Sequence, residues 1–152
     1  AGGGGTPEVL ATVDTSAQAS TTNGALVFND VPLVSGTAIT HQAGTTDILI
    51  TQPGIYQAAF QGAVSVSAGT AIPATIRVRL TENGANVPGA SAIHTFTSSS
   101  ELATLPFTAP FQVTTVPTTI QVVASLDGFN FDEIALTIVR LGDATATVTA
   151  AL

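Results

Sequence analysis

Acid–base or ionic chemistry in this chain would have to come from two histidines, ten carboxylates and three arginines, because cysteine is absent. His41 ends a short strand with no Ser-His-Asp or metal-spaced partner beside it, and His94 lies in an alternating segment next to Thr95 and Phe96. Structural or surface roles are favoured for both, since a catalytic constellation needs several convergent groups. Serines are plentiful, but no Gly-x-Ser-x-Gly elbow occurs. No catalytic residue is assigned and no enzyme activity is expected.

The segment Asp127-Gly128-Phe129-Asn130-Phe131-Asp132-Glu133 gathers oxygen ligands of the kind calcium takes, with Asp127, Asn130 and Asp132 as the candidates. It departs from the Asp-x-Asp-x-Asp-Gly pattern at Phe129. A polar turn between strands is the plainer reading, and no metal or other cofactor is expected. Arg77 and Arg79 lie two apart on the wet face of a strand, where arginines commonly pair with carboxylates across strands. As the near-paired cations of an acidic chain, they are candidates for an inter-subunit or anionic-glycan contact.

The elements that must carry these residues are strands. The chain has 152 residues, 45% hydrophobic and 9% charged, with a formal net charge of −7 and no lysine. Clustered Lys and Arg are what nucleic-acid and anionic-membrane binding require, so neither partner is expected. Mean hydropathy is +0.46, yet no apolar run approaches the roughly 18 residues of a membrane helix, and no membrane insertion is expected. The missing Cys, Met, Trp and Lys suit either a surface that resists oxidants and trypsin-like proteases or simple compositional drift. Ala1 to Gly5 lacks the basic and apolar regions of a signal peptide and reads as a flexible or added linker. The segment 143–152 reads as a low-complexity tail, and 6–142 as one domain.

Pro53-Gly54 marks a turn, and the residues that follow it alternate. Tyr56, Ala58, Phe60, Val64 and Val66 share one face; Ile55, Gln57, Ala59, Gln61 and Ala63 share the other, which is too apolar to meet water freely. Residues 74–82 alternate most cleanly, with Ile76, Val78 and Leu80 against Thr75, Arg77, Arg79 and Thr81. Asn83-Gly84 is a turn pair, and Val87-Pro88-Gly89 a second bend. Further strands are expected at 7–14, 37–41, 47–51, 92–97, 118–126 and 133–141, with an irregular or edge strand over 102–114 and Phe129 to Phe131 as a connection. Pro32 argues against a strand after Asn29. Short strands punctuated about every ten residues by Gly, Pro or Asn, with no amphipathic helix, imply an all-β antiparallel sandwich or barrel.

In this setting, Pro53-Gly54-Ile55-Tyr56-Gln57-Ala58-Ala59-Phe60 resembles the Gly-x-Tyr-x-x-x-Phe strand of the trimeric jelly rolls of the tumour-necrosis-factor and complement type. Arg79-Leu80-Thr81-Glu82-Asn83-Gly84, with Val87-Pro88-Gly89, resembles that family's strand ending in an Asn-Gly turn. The segments 111–125 and 135–141 resemble the last strands of its bacterial branch, the heads of collagen-like exosporium glycoproteins of the BclA type. The resemblance implies a homotrimeric jelly-roll head, normally preceded by a Gly-X-Y stalk and displayed outside the cell on the outermost spore layer. Residues 1–5 lack that third-residue period. A carbohydrate- or receptor-binding adhesin or fibre tip on the same fold, with a host-surface or glycan ligand, is the alternative.

A subunit interface is expected even without the resemblance. If Tyr56, Phe60, Val64, Ile134, Leu136 and Ile138 fill the core, then Ile55, Ala59, Ala63, Ala135, Val139 and Leu141 face the other way. Strand 118–126 is expected to add Val123 to that side. A contiguous apolar surface of this kind marks an interface, and closed symmetry is the default for a homo-oligomer. The resemblance selects three subunits.

Overall fold

The computed structural model describes residues 6–145. The expected linker 1–5 and residues 146–152 of the expected tail lie outside the described residues. Thirteen strands follow in order: β1 Val9–Asp14, β2 Gln18–Ala19, β3 Gly24–Ala25, β4 Asp30–Ser35, β5 Ile39–His41, β6 Ile48–Ile50 and β7 Gly54–Val66, then β8 Ala74–Glu82, β9 Ala85–Phe96, β10 Leu102–Thr104, β11 Phe107–Val113, β12 Thr118–Ala124 and β13 Phe129–Gly142. No helix occurs among the described residues.

Alternating side chains give each strand one apolar face, and two such faces must meet to bury it. The strands accordingly divide into two antiparallel sheets. The first runs β4-β1-β13-β7, with β10 and β11 successively on the far edge of β7 and β2 pairing β13; the second runs β5-β6-β12-β8-β9, with β3 pairing β12. Between them lie Tyr56, Phe60, Ile76, Val78, Leu80, Phe96, Ile120, Val122, Phe131, Leu136 and Ile138, all buried. Register places aromatic rings opposite one another. Phe107 pairs with Phe60 and Phe111 with Tyr56 across β11 and β7, and the rings stack with centroids 5.2 Å and 5.8 Å apart. Burial raises the pKa of the Tyr56 phenol, whose hydroxyl donates to the Gln52 carbonyl at 2.6 Å.

The exceptions to the expected strands have local causes. Asp30–Ser35 is a strand despite Pro32, because β4 is an edge strand where a missing N–H costs no ladder bond. β9 likewise runs on through Pro88 and Gly89 at the edge of the second sheet, its register with β8 shifting between Arg79 and Thr81. That shift accompanies the burial of Thr81, expected on the wet face; its hydroxyl donates to the Gln121 carbonyl. Phe129 to Phe131 is the opening of β13 and no mere connection. The strand continues through a bulge between Asp132 and Ala135, where Glu133 takes φ 51°. The strand expected over 118–126 ends at Ala124, and Leu126 just beyond it is 46% exposed.

Candidate functional site

The outward face of the first sheet is built from rows of paired residues. Ladder pairing aligns Leu33, Ala11, Thr137, Ala59 and Thr108 across β4, β1, β13, β7 and β11. A second row aligns Ser35, Val9, Val139, Gln57 and Pro110, and a third Asp30, Val13, Ala135 and Gln61. Asp30, on the edge strand β4, is the one charged residue in these rows. Ile55 pairs with Gln112 on one side and with Gly142 on the other, and Leu141 stands 58% exposed beside them. At the opposite end Ala63 pairs with Asp132 and Thr104, so the carboxylates of the β13 bulge bound the uncharged area.

Ile55, Ala59, Ala63, Ala135, Val139 and Leu141 therefore share one face, as the alternation predicts. Val123 does not. It belongs to β12 in the second sheet, between Arg79 of β8 and Ala25 of β3, and is buried within the protomer. The face also includes Val9, Ala11 and Val13, while Leu10, Thr12 and Asp14 of the same strand point inward. Thr12 is buried with its hydroxyl donating to the Leu136 carbonyl at 3.0 Å. Asp14 is 2% exposed, and its carboxylate accepts from Ser16 N and Oγ, Gln18 Nε2 and Asn29 Nδ2 at 2.6–3.1 Å. Satisfied polar groups can occupy a core face, and the three aliphatic neighbours are turned outward.

Arg77 and Arg79 project from the outward face of the second sheet. Neither has a carboxylate within salt-bridge reach among the described residues, contrary to the common cross-strand pairing. Arg77 reaches Ser91 Oγ at 3.4 Å, and Arg79 donates through Nε to Asn86 Oδ1 at 2.8 Å. Asp127 lies in the loop before β13, while Asn130 and Asp132 stand in the strand opposite Ser65 and Ala63. No three His, Asp or Glu side chains converge as a metal site among the described residues.

The two histidines act as braces. His41 presents Nδ1 to the Asp47 carbonyl at 2.7 Å and Nε2 to the Phe28 carbonyl at 2.9 Å. His94 meets Glu101 at 2.6 Å and sits edge-on to Phe96. The Thr97 backbone N–H and the His94 side chain together lower the Glu101 pKa. No serine hydroxyl bonds to either ring among the described residues.

With this geometry in hand, the chain can be set beside known structures. Murine APRIL at pH 5.0 superposes with a TM-score of 0.69 at 15% identity, covering 89% of this chain and 99% of that one. The globular domain of zebrafish complement 1qA protein gives 0.68 at 11% identity, covering 90% and 98%. Eiger TNF from S. frugiperda gives 0.66 at 13% identity, covering 94% and 98%. The fold is the tumour-necrosis-factor and complement jelly roll. No protein-family model matches the chain, and no curated protein matches it by sequence. At these identities the likeness is one of fold. The jelly roll places β1, β13 and β7 side by side in one sheet, and so makes their outward residues a single surface.

Proposed function

We propose that this chain is a non-enzymatic assembly head, a homotrimer joined through the outward face of the first sheet. The observation that carries the proposal is the lack of any charge across the paired rows of β1, β13, β7 and β11 in a protein of net charge −7. Water-facing strands here look different: β8 turns Thr75, Arg77 and Arg79 outward. Small side chains at Ala11, Ala59 and Ala135 allow another subunit close approach, and apolar surface left uncovered favours association. Sequence resemblance to collagen-like exosporium glycoproteins extends the proposal to the head of a surface filament, outside the cell on the outermost spore layer. An interface of at least roughly 2,000 Å² per complex, more apolar than a transient one, fits such an assembly.

The cysteine-free chain offers a direct test. A thiol introduced by Ala59→Cys should be protected from a labelling reagent until denaturant is added, while one introduced by Thr75→Cys should react at once. Equal reactivity in the native protein would refute the proposed face. The filament role is tested by joining collagen-like Gly-Pro-Pro repeats to the N-terminus. The head should raise their triple-helix melting temperature, and no change would count against that role.

A further inference from the structure

A cleft of about 560 Å³ opens at the flank of the sandwich, between the β8–β9 hairpin and β11. Its polar lining follows a pattern. Asn83 Oδ1 accepts from the Thr119 backbone N–H at 2.8 Å, Asn86 Oδ1 from Arg79 Nε at 2.8 Å, and Gln112 Oε1 from the Thr145 backbone N–H at 2.9 Å. Each partner can only donate, so the oxygen and nitrogen of all three amides are fixed. Their three NH2 groups have no protein acceptor among the described residues, and neither does the Glu82 carboxylate have a donor. The cleft thus combines oriented donors with one free acceptor, beside the apolar surfaces of Pro88, Pro110 and Phe111.

This chemistry narrows the ligand class. Amide hydrogens repel a metal ion, and a single carboxylate supplies too few oxygens to hold one. A carboxylated or sulfated ligand would meet Glu82 with no cation lining the cleft. An added peptide strand needs ladder N–H groups, which Pro88 in β9 and Pro110 in β11 lack. A hydroxyl-rich neutral molecule fits: its hydroxyls accept from the amides and donate to the carboxylate, while its C–H face packs on proline and aromatic carbon. The volume lies within the range of small-molecule pockets.

We propose that this cleft binds a neutral saccharide of one or two sugar units through the amides of Asn83, Asn86 and Gln112 and the carboxylate of Glu82. All of these groups belong to one protomer. The site goes beyond the assembly proposed above, and because Pro110 and Gln112 lie at the β11 edge of the outward face of the first sheet, it rests on that edge staying open when the face is joined. Burial raises the Glu82 pKa, so the fold keeps a carboxylate there at some cost, as a binding group would require.

The test uses the full chain, 15N-labelled, with glucose, galactose, mannose, N-acetylglucosamine and maltose as probes and glucuronate and sialic acid as anionic comparisons. Side-chain NH2 signals report directly on the three amides. At least one neutral sugar, added to about ten times a millimolar Kd, should shift the Asn86 and Gln112 signals saturably; the anionic sugars should not. Asn86→Asp and Gln112→Glu keep the acceptor for Arg79 and for Thr145 while deleting the donor. Each should weaken binding at least about tenfold with the melting temperature unchanged. Glu82→Gln should weaken binding without lowering the melting temperature. The proposal is overturned if no probe shifts these signals, if anionic sugars bind equally well, or if the variants bind as the parent does.

Discussion

Replacing Val139 with Arg would place a cation at the centre of the uncharged face. Val139 is flanked in register by Val9 and Gln57 and is 36% exposed in the isolated protomer. An arginine there reaches water while the chain is alone, so the fold itself should lose no more than about 0.5 kcal/mol. In the assembled head the same guanidinium is buried with no carboxylate among the outward residues around it. An unpaired buried charge costs about 3–5 kcal/mol, and three-fold symmetry repeats it three times. The total of roughly 9–15 kcal/mol amounts to at least about six orders of magnitude in association, at 1.4 kcal/mol per decade. Sedimentation velocity at micromolar concentration should therefore show Val139→Arg as a monomer with a native circular-dichroism spectrum. Thr75→Arg, on the outward face of the second sheet, should sediment as the parent does. If Val139→Arg sediments and melts like the parent protein, the face is not an interface and the reasoning fails.

Three further substitutions test the fold around it. Asp14→Asn exchanges an acceptor-only carboxylate for an amide among four donors. It should lose about 2–4 kcal/mol and lower the melting temperature by about 5–15 °C; an unchanged melt would contradict the network. Gly54→Ala would set a Cβ 2.6 Å from Arg140 Nε and 2.8 Å from the Gly142 carbonyl oxygen. Overpacking of this kind costs about 1–3 kcal/mol, visible in a urea titration as a lower midpoint. Glu101 has a lowered folded-state pKa, so its contribution is present above the ordinary carboxylate range and is lost as pH falls through the folded value. Stability of the parent should decline on acidification below about pH 4 more steeply than that of Glu101→Gln, and identical pH profiles would remove the role given to Thr97 N–H and His94.

Strands whose alternation is strict were legible in the sequence to the residue: β7 and β8 occupy 54–66 and 74–82 as read, with Tyr56, Phe60, Ile76 and Leu80 inward. Alternation misleads where satisfied polar groups replace apolar ones. Thr12 and Asp14 share the inward side of β1 with Leu10, and no pattern of residue types announces that Val9, Ala11 and Val13 face out. Val123 failed for a different reason. Periodicity gives the face of a strand but not the sheet to which the strand belongs, and β12 pairs with β8 rather than β13. Proline misled at Pro32 and Pro88, since edge position is a property of the whole sheet. The amide cleft was hidden almost entirely. Its walls come from Glu82 to Pro88 and from Pro110 to Gln112, and the Asn83 and Gln112 amides are oriented by donors 36 and 33 residues away.

The account turns on association through the first sheet, and the mass of the unmodified chain in solution tests it most directly. Sedimentation equilibrium at micromolar concentration should return about three times the 15.2 kDa of one chain, unchanged on tenfold dilution, as expected of a tight closed assembly. A mass of 15.2 kDa under the same conditions would contradict it.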